Sequence, residues 1–257
     1  MNIAHAAGEG ISIHLAPPIL GHLWGIPLTS TMLTAWLTMA VLIVAAFLIR
    51  RRLVLIPGRL QIVAESLIGG AYDYVADALE SKTMANRFFP FIMTIFVFIL
   101  AMNWIGLLPG VDAIGIYSES HGSEEKSLIP FFHPVHTDLN MTIALAIIAF
   151  VAIELSGVII IGFFKYAGKF INFSSPLNFL IGIIELFSEL ARLISFSFRL
   201  FGNIFAGKTL LLIAMSFVPF ILPVPVLAFE LFVGFIQAFI FAVLTLFFIK
   251  LAIEAPH

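Results

Sequence analysis

The chain has 257 residues, of which 61% are hydrophobic and 11% are charged, and its formal net charge is −2. Charged residues make up about a quarter of an ordinary soluble chain, so this composition excludes a water-soluble globular domain. The mean hydropathy of +1.11 instead predicts a protein surrounded by lipid. The slightly negative net charge gives no indication of a nucleic-acid partner. The absence of cysteine excludes disulfides and thiolate metal sites.

The N-terminal residues 1–27 do not resemble a secretory signal peptide. They lack a basic start, and they contain Glu9, three histidines and the neighbouring Pro17 and Pro18 before any long apolar run. We therefore expect the first apolar segment to remain in the mature protein.

Four apolar stretches follow along the chain, and together they are long enough for about five membrane crossings. The last stretch must contain a hairpin, because Pro219, Pro223 and Pro225 interrupt it. The fold class expected is all-α, a polytopic membrane protein of one domain. The predicted membrane helices are 29–49, 88–108, 139–164, 177–218 and 226–253.

Segment 177–218 contains no proline and predicts one nearly continuous helix. At about 1.5 Å per residue such a helix is roughly 60 Å long, twice the roughly 30 Å of a hydrocarbon core. It must either lie strongly tilted or run partly along the membrane surface. We favour the tilt, which makes 177–253 a long, strongly tilted helical hairpin.

Basic residues predict the orientation of the chain. With the N-terminus outside, only Lys126 lies outside, and the C-terminus is cytoplasmic. The residues then on the inner side are Arg50, Arg51, Arg52, Arg59, Lys82, Arg87, Lys165, Lys169 and Lys250.

Segment 60–81 predicts an amphipathic helix on the inner membrane surface. At about 100° per residue, Asp73, Asp77 and Glu80 share one face, and Glu65 lies beside them. That acidic face is either solvated or a docking face for a partner.

A polar stripe runs along the long helix 177–218. Its members recur at steps of three or four residues, with Ser188 among them: Glu185, Glu189, Arg192, Ser195, Arg199 and Asn203. Lipid does not tolerate such a face, so it must meet water or another protein.

Arg199 has no carboxylate three or four positions away on its own helix, whereas Arg192 has Glu189. An ion pair of that kind explains Arg192 as well as a functional role does. A buried guanidinium needs a partner, so the acid that meets Arg199 is either Glu154 on the third crossing or belongs to another chain.

The hairpin predicts which residues lie at equal depth. With its turn near residues 218–219, Arg199 lies at the level of Gln237, and Lys208 lies at the level of Glu230. The second pair is complementary in charge, which supports this register.

The run Ser-Phe-Arg-Leu-Phe-Gly-Asn-Ile-Phe-Ala-Gly at 197–207 resembles the signature of subunit a of the rotary F-type ATP synthase. The run Gln-Ala-Phe-Ile-Phe-Ala-Val-Leu-Thr at 237–245 is similar to the second helix of that signature. Weaker likeness covers 101–109 and 138–142.

The resemblance implies a non-catalytic proton-channel subunit with no cofactor and no metal. Its partners would be a ring of small membrane subunits, each bearing a carboxylate, together with peripheral-stalk subunits, lipid and protons. Its location would be an energy-transducing membrane, with a bacterial plasma (inner) membrane preferred.

The resemblance also implies roles for single residues. Arg199 matches the family's essential arginine, Asn203 and Gln237 match polar positions of the ion path, and Glu185 matches an acid of the inner route. Two positions depart from the family pattern: Lys208 stands where many relatives have an acid or a histidine, and Glu230 where many bacterial relatives have a histidine.

The expected ion path has two half-channels separated by Arg199. The outer one passes Asp138, Asn140 and Glu230, with Lys208 paired to Glu230. The inner one passes Glu185 and Ser188. A secondary transporter of a small solute or ion is the alternative, although no inverted repeat is visible in the sequence.

Overall fold

The computed structural model describes residues 17–23, 25–54, 56–108, 110–111, 114–119, 126–170, 175–219 and 221–254. Helices make up most of these residues: α1 Ser30–Arg52, α2 Arg59–Leu79, α3 Lys82–Ile105, α4 Leu139–Ile161, α5 Phe163–Phe170, α6 Pro176–Phe217 and α7 Pro223–Ile253. By length and composition α1, α3, α4 and α7 can each cross a membrane. The all-α, polytopic membrane fold is thus confirmed, while the number of five crossings and the tilt of the hairpin stay predictions.

Side chains at the helix starts explain where several helices begin. Thr29, Ser81, Asp138 and Ser175 each accept a hydrogen bond from a backbone N–H in the first turn of α1, α3, α4 and α6. Such caps satisfy N–H groups that have no partner within the helix. The third crossing, expected to run to residue 164, ends at Ile161 because the next residue is a glycine with a φ of 95°.

The last apolar stretch is interrupted near its prolines as expected, since α6 ends at Phe217, but two of these prolines lie at the start of a helix. Pro223 and Pro225 lie in the first turn of α7. The fixed φ of proline suits a helix there, and no hydrogen bond is lost because N–H groups in the first turn have no acceptor within the helix. The hairpin helix therefore begins at Pro223 and not at residue 226. Pro90 lies inside α3, and this helix starts at Lys82, six residues before the expected boundary of 88.

Two short antiparallel hairpins were not predicted. Strands β1 Ile19–Leu23 and β2 Ile26–Thr29 precede α1, and strands β3 Gly115–Glu119 and β4 Lys126–Pro130 lie between α3 and α4. The Ser30 hydroxyl donates to the Pro130 carbonyl oxygen at 2.6 Å. This bond joins the start of α1 to the end of the second hairpin, so both hairpins lie at the same end of the helices.

Three further contacts join α1 to the segment that precedes α4. Thr31 Oγ1 donates to Asp138 Oδ2 at 2.9 Å, and the backbone N–H of His133 donates to Thr34 Oγ1 at 3.0 Å. A 3₁₀ turn at Val135–Thr137 packs against α1 in the same place. All the buried residues of α1 lie within this first part of the helix, between Ser30 and Thr38.

The core lies where α3, α4, α6 and α7 pack together. Its largest buried side chains include Phe196 of α6 and Phe241 of α7, whose ring centroids are 4.8 Å apart. Helix α2 packs on α3 and α7 through Val75 and Leu79. The Glu80 carboxylate, just after α2, lies 2.7 Å from Lys250 Nζ, and this ion pair lowers the pKa of Glu80.

Candidate functional site

Arg199 projects from the middle of α6 and has only one hydrogen-bond partner among the residues that the structure describes. Its Nη2 donates to Ser195 Oγ at 3.3 Å, one turn earlier on the same helix. Its Nη1 is buried without a partner. In the described part of the chain no carboxylate forms an ion pair with this guanidinium.

Glu154, one of the two expected partners of Arg199, is engaged elsewhere. Its Oε2 accepts a hydrogen bond from the Tyr166 hydroxyl at 2.9 Å, and its Oε1 is buried without a partner. The short helix α5, which carries Tyr166, was not expected from the sequence. In the structure Glu154 is therefore not the acid that meets Arg199, and a carboxylate of another chain stays a prediction.

Asn203 and Gln237 share an unusual property with Arg199. Asn203 Nδ2 and Gln237 Oε1 are also buried side-chain atoms without a hydrogen-bond partner. An unsatisfied buried polar group costs about 1–3 kcal/mol, so each of the three needs an explanation. A carboxylate brought to this place would accept hydrogen bonds from both Arg199 and Asn203.

Glu230 of α7 is buried, with 4% of its surface exposed, and its carboxylate lies directly against Gly207 of α6. A Cβ atom at position 207 would collide with both carboxylate oxygens. Gly207 therefore provides the space that holds this acid between the two helices.

The expected ion pair between Glu230 and Lys208 is not formed. Lys208 Nζ instead lies 3.2 Å from His133 Nε2, in the segment before α4. Both residues line one cavity, and their equal depth in the membrane stays a prediction. Their side chains diverge, since the Glu230 carboxylate turns toward Gly207 while Lys208 reaches toward the loop.

This cavity, of about 460 Å³, lies beside Glu230 between the end of α3, the 3₁₀ turn, α6 and α7. Its wall is mostly apolar, and the polar side chains in it are Asn103, His136, Lys208 and Glu230. A small number of polar side chains that converge in an otherwise apolar cavity is typical of a functional site.

Asp138 and Asn140 do not line the cavity. Asp138 is the N-cap of α4: its Oδ1 accepts from the backbone N–H of Asn140 at 2.9 Å, and its Oδ2 accepts from Thr31. Both oxygens of this buried carboxylate thus hold helices in place. Asn103 and His136, which do line the cavity, were not predicted as site residues. The signals available in the sequence were an amide within the apolar segment 88–108 and the histidines of the outer loop.

The other end of α6 carries the ionic side chains of the expected inner route. Glu185 lies 2.7 Å from Lys169 Nζ of α5, and Glu189 lies 2.6 Å from Arg192 Nη1. Arg192 also lies 3.7 Å above the ring of Phe248, so the local ion pair accounts for its charge.

Ser188 is exposed on the same part of α6, and its hydroxyl donates to the Ile184 carbonyl oxygen at 2.9 Å. Among the described residues no group of three His, Asp or Glu side chains could hold a metal ion.

Comparison with known proteins identifies relatives of the chain. The sequence model of the family described as "ATP synthase A chain" matches residues 32–250. A protein of Geotalea uraniireducens named ATP synthase subunit a is 33% identical over 225 residues, 86% of each chain. Similar proteins are subunit a 3 of Pelobacter propionicus, 32% identical over 86% of each chain, and subunit a of Moorella thermoacetica, 30% identical over 92% of this chain and 96% of its own.

Proposed function

From the premise that this chain belongs to the ATP synthase subunit a family, and so is a proton-conducting stator subunit of the membrane sector, we propose that Arg199 separates two half-channels. One half-channel brings protons to the carboxylate of a rotating ring, and the other takes them away. Family membership also decides against the alternative of a secondary transporter.

The observation that carries the proposal is the unsatisfied guanidinium of Arg199. Its Nη1, together with Asn203 Nδ2, offers buried donors that no described residue of this chain accepts from. A carboxylate on another chain satisfies both donors when it comes alongside α6. The ring subunits that we propose as partners supply such an acid, one for each step of rotation.

Along the axis of α6, Arg199 lies between two groups of ionisable side chains, one on α6 itself and one that includes Glu230 of α7. At about 1.5 Å per residue, Arg192 is about 10 Å away along the axis on one side, and Gly207, with Glu230 against it, is about 12 Å away on the other. This spacing is too long for direct proton transfer between the groups. The outer half-channel therefore ends at the cavity beside Glu230, and the inner one begins near Glu185 and Ser188.

The positive charge of Arg199 has two effects on protons. It stabilises the ionised ring carboxylate, which favours release of the proton to the inner route, and it repels a proton that would cross directly. Arginine suits this role because it stays protonated, whereas a desolvated lysine loses its proton more easily and could relay it. Each proton that crosses 100 mV releases about 2.3 kcal/mol, which a leak would lose as heat.

The subunit itself carries out no chemical step in this proposal, since it only guides protons. Its surroundings are a bacterial plasma (inner) membrane, with the N-terminus outside and the C-terminus cytoplasmic. Peripheral-stalk subunits hold it against rotation.

Replacement of Arg199 by alanine tests the proposal. In the complete synthase reconstituted into liposomes, we expect Arg199→Ala to lower proton-driven ATP synthesis by at least about a hundredfold, because a buried ionic contact worth about 3 kcal/mol or more is lost. Passive proton leak, followed with a pH-sensitive dye, should rise in the same vesicles.

Arg192→Gln is the matched control, because its guanidinium lies on the same helix but is paired within the chain. It should lower stability without opening a leak. Wild-type coupling in the Arg199→Ala complex would refute the proposed role.

A further inference from the structure

His136 is a buried histidine in the wall of the cavity, with 1% of its surface exposed. It lies in the 3₁₀ turn between α3 and α4. Its Nδ1 is 2.7 Å from Asn103 Oδ1, whereas its Nε2 is buried without a hydrogen-bond partner. The roles assigned above to Arg199 and Glu230 do not use this unsatisfied nitrogen.

The hydrogen bonds of Asn103 determine which nitrogen of His136 carries the proton. Asn103 Nδ2 donates to the backbone carbonyl oxygen of Gly234 at 2.9 Å, and a carbonyl oxygen can only accept. The amide oxygen of Asn103 therefore faces His136 and requires a donor there. Nδ1 carries the proton, and Nε2 is left with a bare lone pair.

The surroundings keep this imidazole neutral. Burial lowers the pKa of His136 to about 3, so it does not become charged at physiological pH. Among the residues that the structure describes, the ionisable groups around the same cavity are Glu230 on α7 and Lys208 on α6, with His133 beside Lys208. Asp138 is occupied by its cap and by Thr31, and α3 contributes only the neutral Asn103.

We propose that His136 is a positioning residue of the outer half-channel, whose Nε2 accepts a hydrogen bond from a cavity water and turns the other O–H of that water toward Glu230. This inference rests on the proposed function. A buried acceptor without a protein partner ordinarily binds such a water where the space is large enough and other polar groups are present. This cavity of about 460 Å³ is mostly apolar, but Asn103, Lys208 and Glu230 line it together with His136.

The proton balance of the step leaves His136 unchanged. A proton arrives at the oxygen of the bound water, and the water passes its own proton to the ionised Glu230 carboxylate. His136 keeps its single proton on Nδ1 throughout. Its contribution is the orientation of the water, so another side chain that donates to Asn103 and accepts from water should replace it.

Two substitutions separate orientation from simple packing. In the reconstituted synthase, His136→Phe fills the space without an acceptor and should slow ATP synthesis about tenfold, the effect expected for one lost hydrogen bond in a rate-limiting transfer. His136→Gln keeps a donor for Asn103 and an acceptor for water, and should stay within about twofold of the wild-type rate. His22→Gln, an exposed histidine in β1, is the control and should have no effect.

Small molecules added to a His136→Ala complex distinguish an oriented water from a histidine that itself gains and loses a proton. The same experiment tests the proposal if the His136→Phe complex fails to assemble. Imidazole and pyrazole both have an N–H and a nitrogen lone pair, but only imidazole is a good base at neutral pH. Restoration of synthesis by both supports the proposal. Restoration by imidazole alone, or by neither, overturns it.

A His136→Phe complex with the wild-type rate, or a His136→Gln complex as slow as His136→Phe, also overturns the inference. These outcomes can be distinguished from the outcome that would refute the proposed function. If Arg199→Ala uncouples the synthase while His136→Phe has no effect, only the role of His136 is lost. If Arg199→Ala stays coupled, the proposed function is lost as well.

Discussion

Single ionisable residues in the membrane helices of this chain differ in how their charge is compensated. Glu189 and Arg192 form an ion pair within one helix, whereas Arg199, two turns further along, has only the Ser195 hydroxyl among the described residues. Because a buried charge is costly, we propose an external partner for the guanidinium that no described carboxylate compensates. The difference between these two arginines is therefore the basis for assigning a role to only one of them.

Glu230 should matter more to proton uptake than Lys208. Glu230→Gln removes the ionisable group beside the cavity and should slow ATP synthesis at least about tenfold, while Lys208→Gln should slow it by a factor of about three or less. Synthesis driven by an imposed proton gradient in liposomes measures both. The reverse ranking would contradict the assignment of the outer step to Glu230.

For single side chains, the sequence predicts a contact correctly where both residues lie on the same helix. The isolation of Arg199 and the pair Glu189–Arg192 both follow from a period of 3.6 residues. It fails for Lys208 and Glu230, because a hairpin register fixes the depth of a side chain but not its direction. It also misses His136, whose partner Asn103 is 33 residues away and is reached only through the folding of the outer loop.

At the scale of elements, α6 and α7 make close contact through a glycine. Gly207 has no side chain, and the Glu230 carboxylate occupies the space that a Cβ would need. The glycine therefore determines how deeply the acid lies between the two helices, although it contributes no polar group.

Gly207→Ala should displace Glu230 and impair both stability and synthesis. Overpacking a close contact of this kind typically costs about 1–3 kcal/mol, and the carboxylate must move away from the cavity to relieve it. Gly70→Ala in α2 is the control, because nothing lies within 4 Å of the Cβ it would add. Thermal unfolding of the complex and its synthesis rate are the measurements; equal behaviour of the two variants would contradict the role given to Gly207.

The lengths of the helices were largely predictable, since long apolar segments and capping residues are local signals. The break after Ile161 and the start of α7 at Pro223 were not predicted, because each depends on the backbone conformation of one glycine or proline. The strands of the two β-hairpins are only four or five residues long, too short for apolar periodicity to identify them. They become visible only through their contacts with the start of α1.

Across the whole molecule, the groups that we assign to the ion path lie in order along α6. Glu185 and Ser188 lie toward the end that we expect to be inside, Arg199 and Asn203 lie near the middle, and Gly207 with Glu230 against it lies toward the other end. A single helix thus holds the inner and outer groups at fixed distances from the central arginine.

The orientation of the chain can be tested directly because the chain contains no native cysteine. A cysteine that replaces His22 in β1 should react with a membrane-impermeant maleimide from the outside only. A cysteine that replaces Ser66 in α2 should react from the inside only, since the basic segments mark that side as cytoplasmic. Mass spectrometry of labelled intact cells and inverted vesicles measures both, and labelling with the sides exchanged would reverse the assigned direction of the path.

The contacts between the beginning of α1 and the segment before α4 have a mechanical consequence. In the function that we propose, a stator beside a turning ring would bear a sideways force at every step. Thr31 and Thr34 bind residues on both sides of the three-residue 3₁₀ turn that carries His136. A force on α1 would therefore be transmitted through these two threonines to the wall of the cavity.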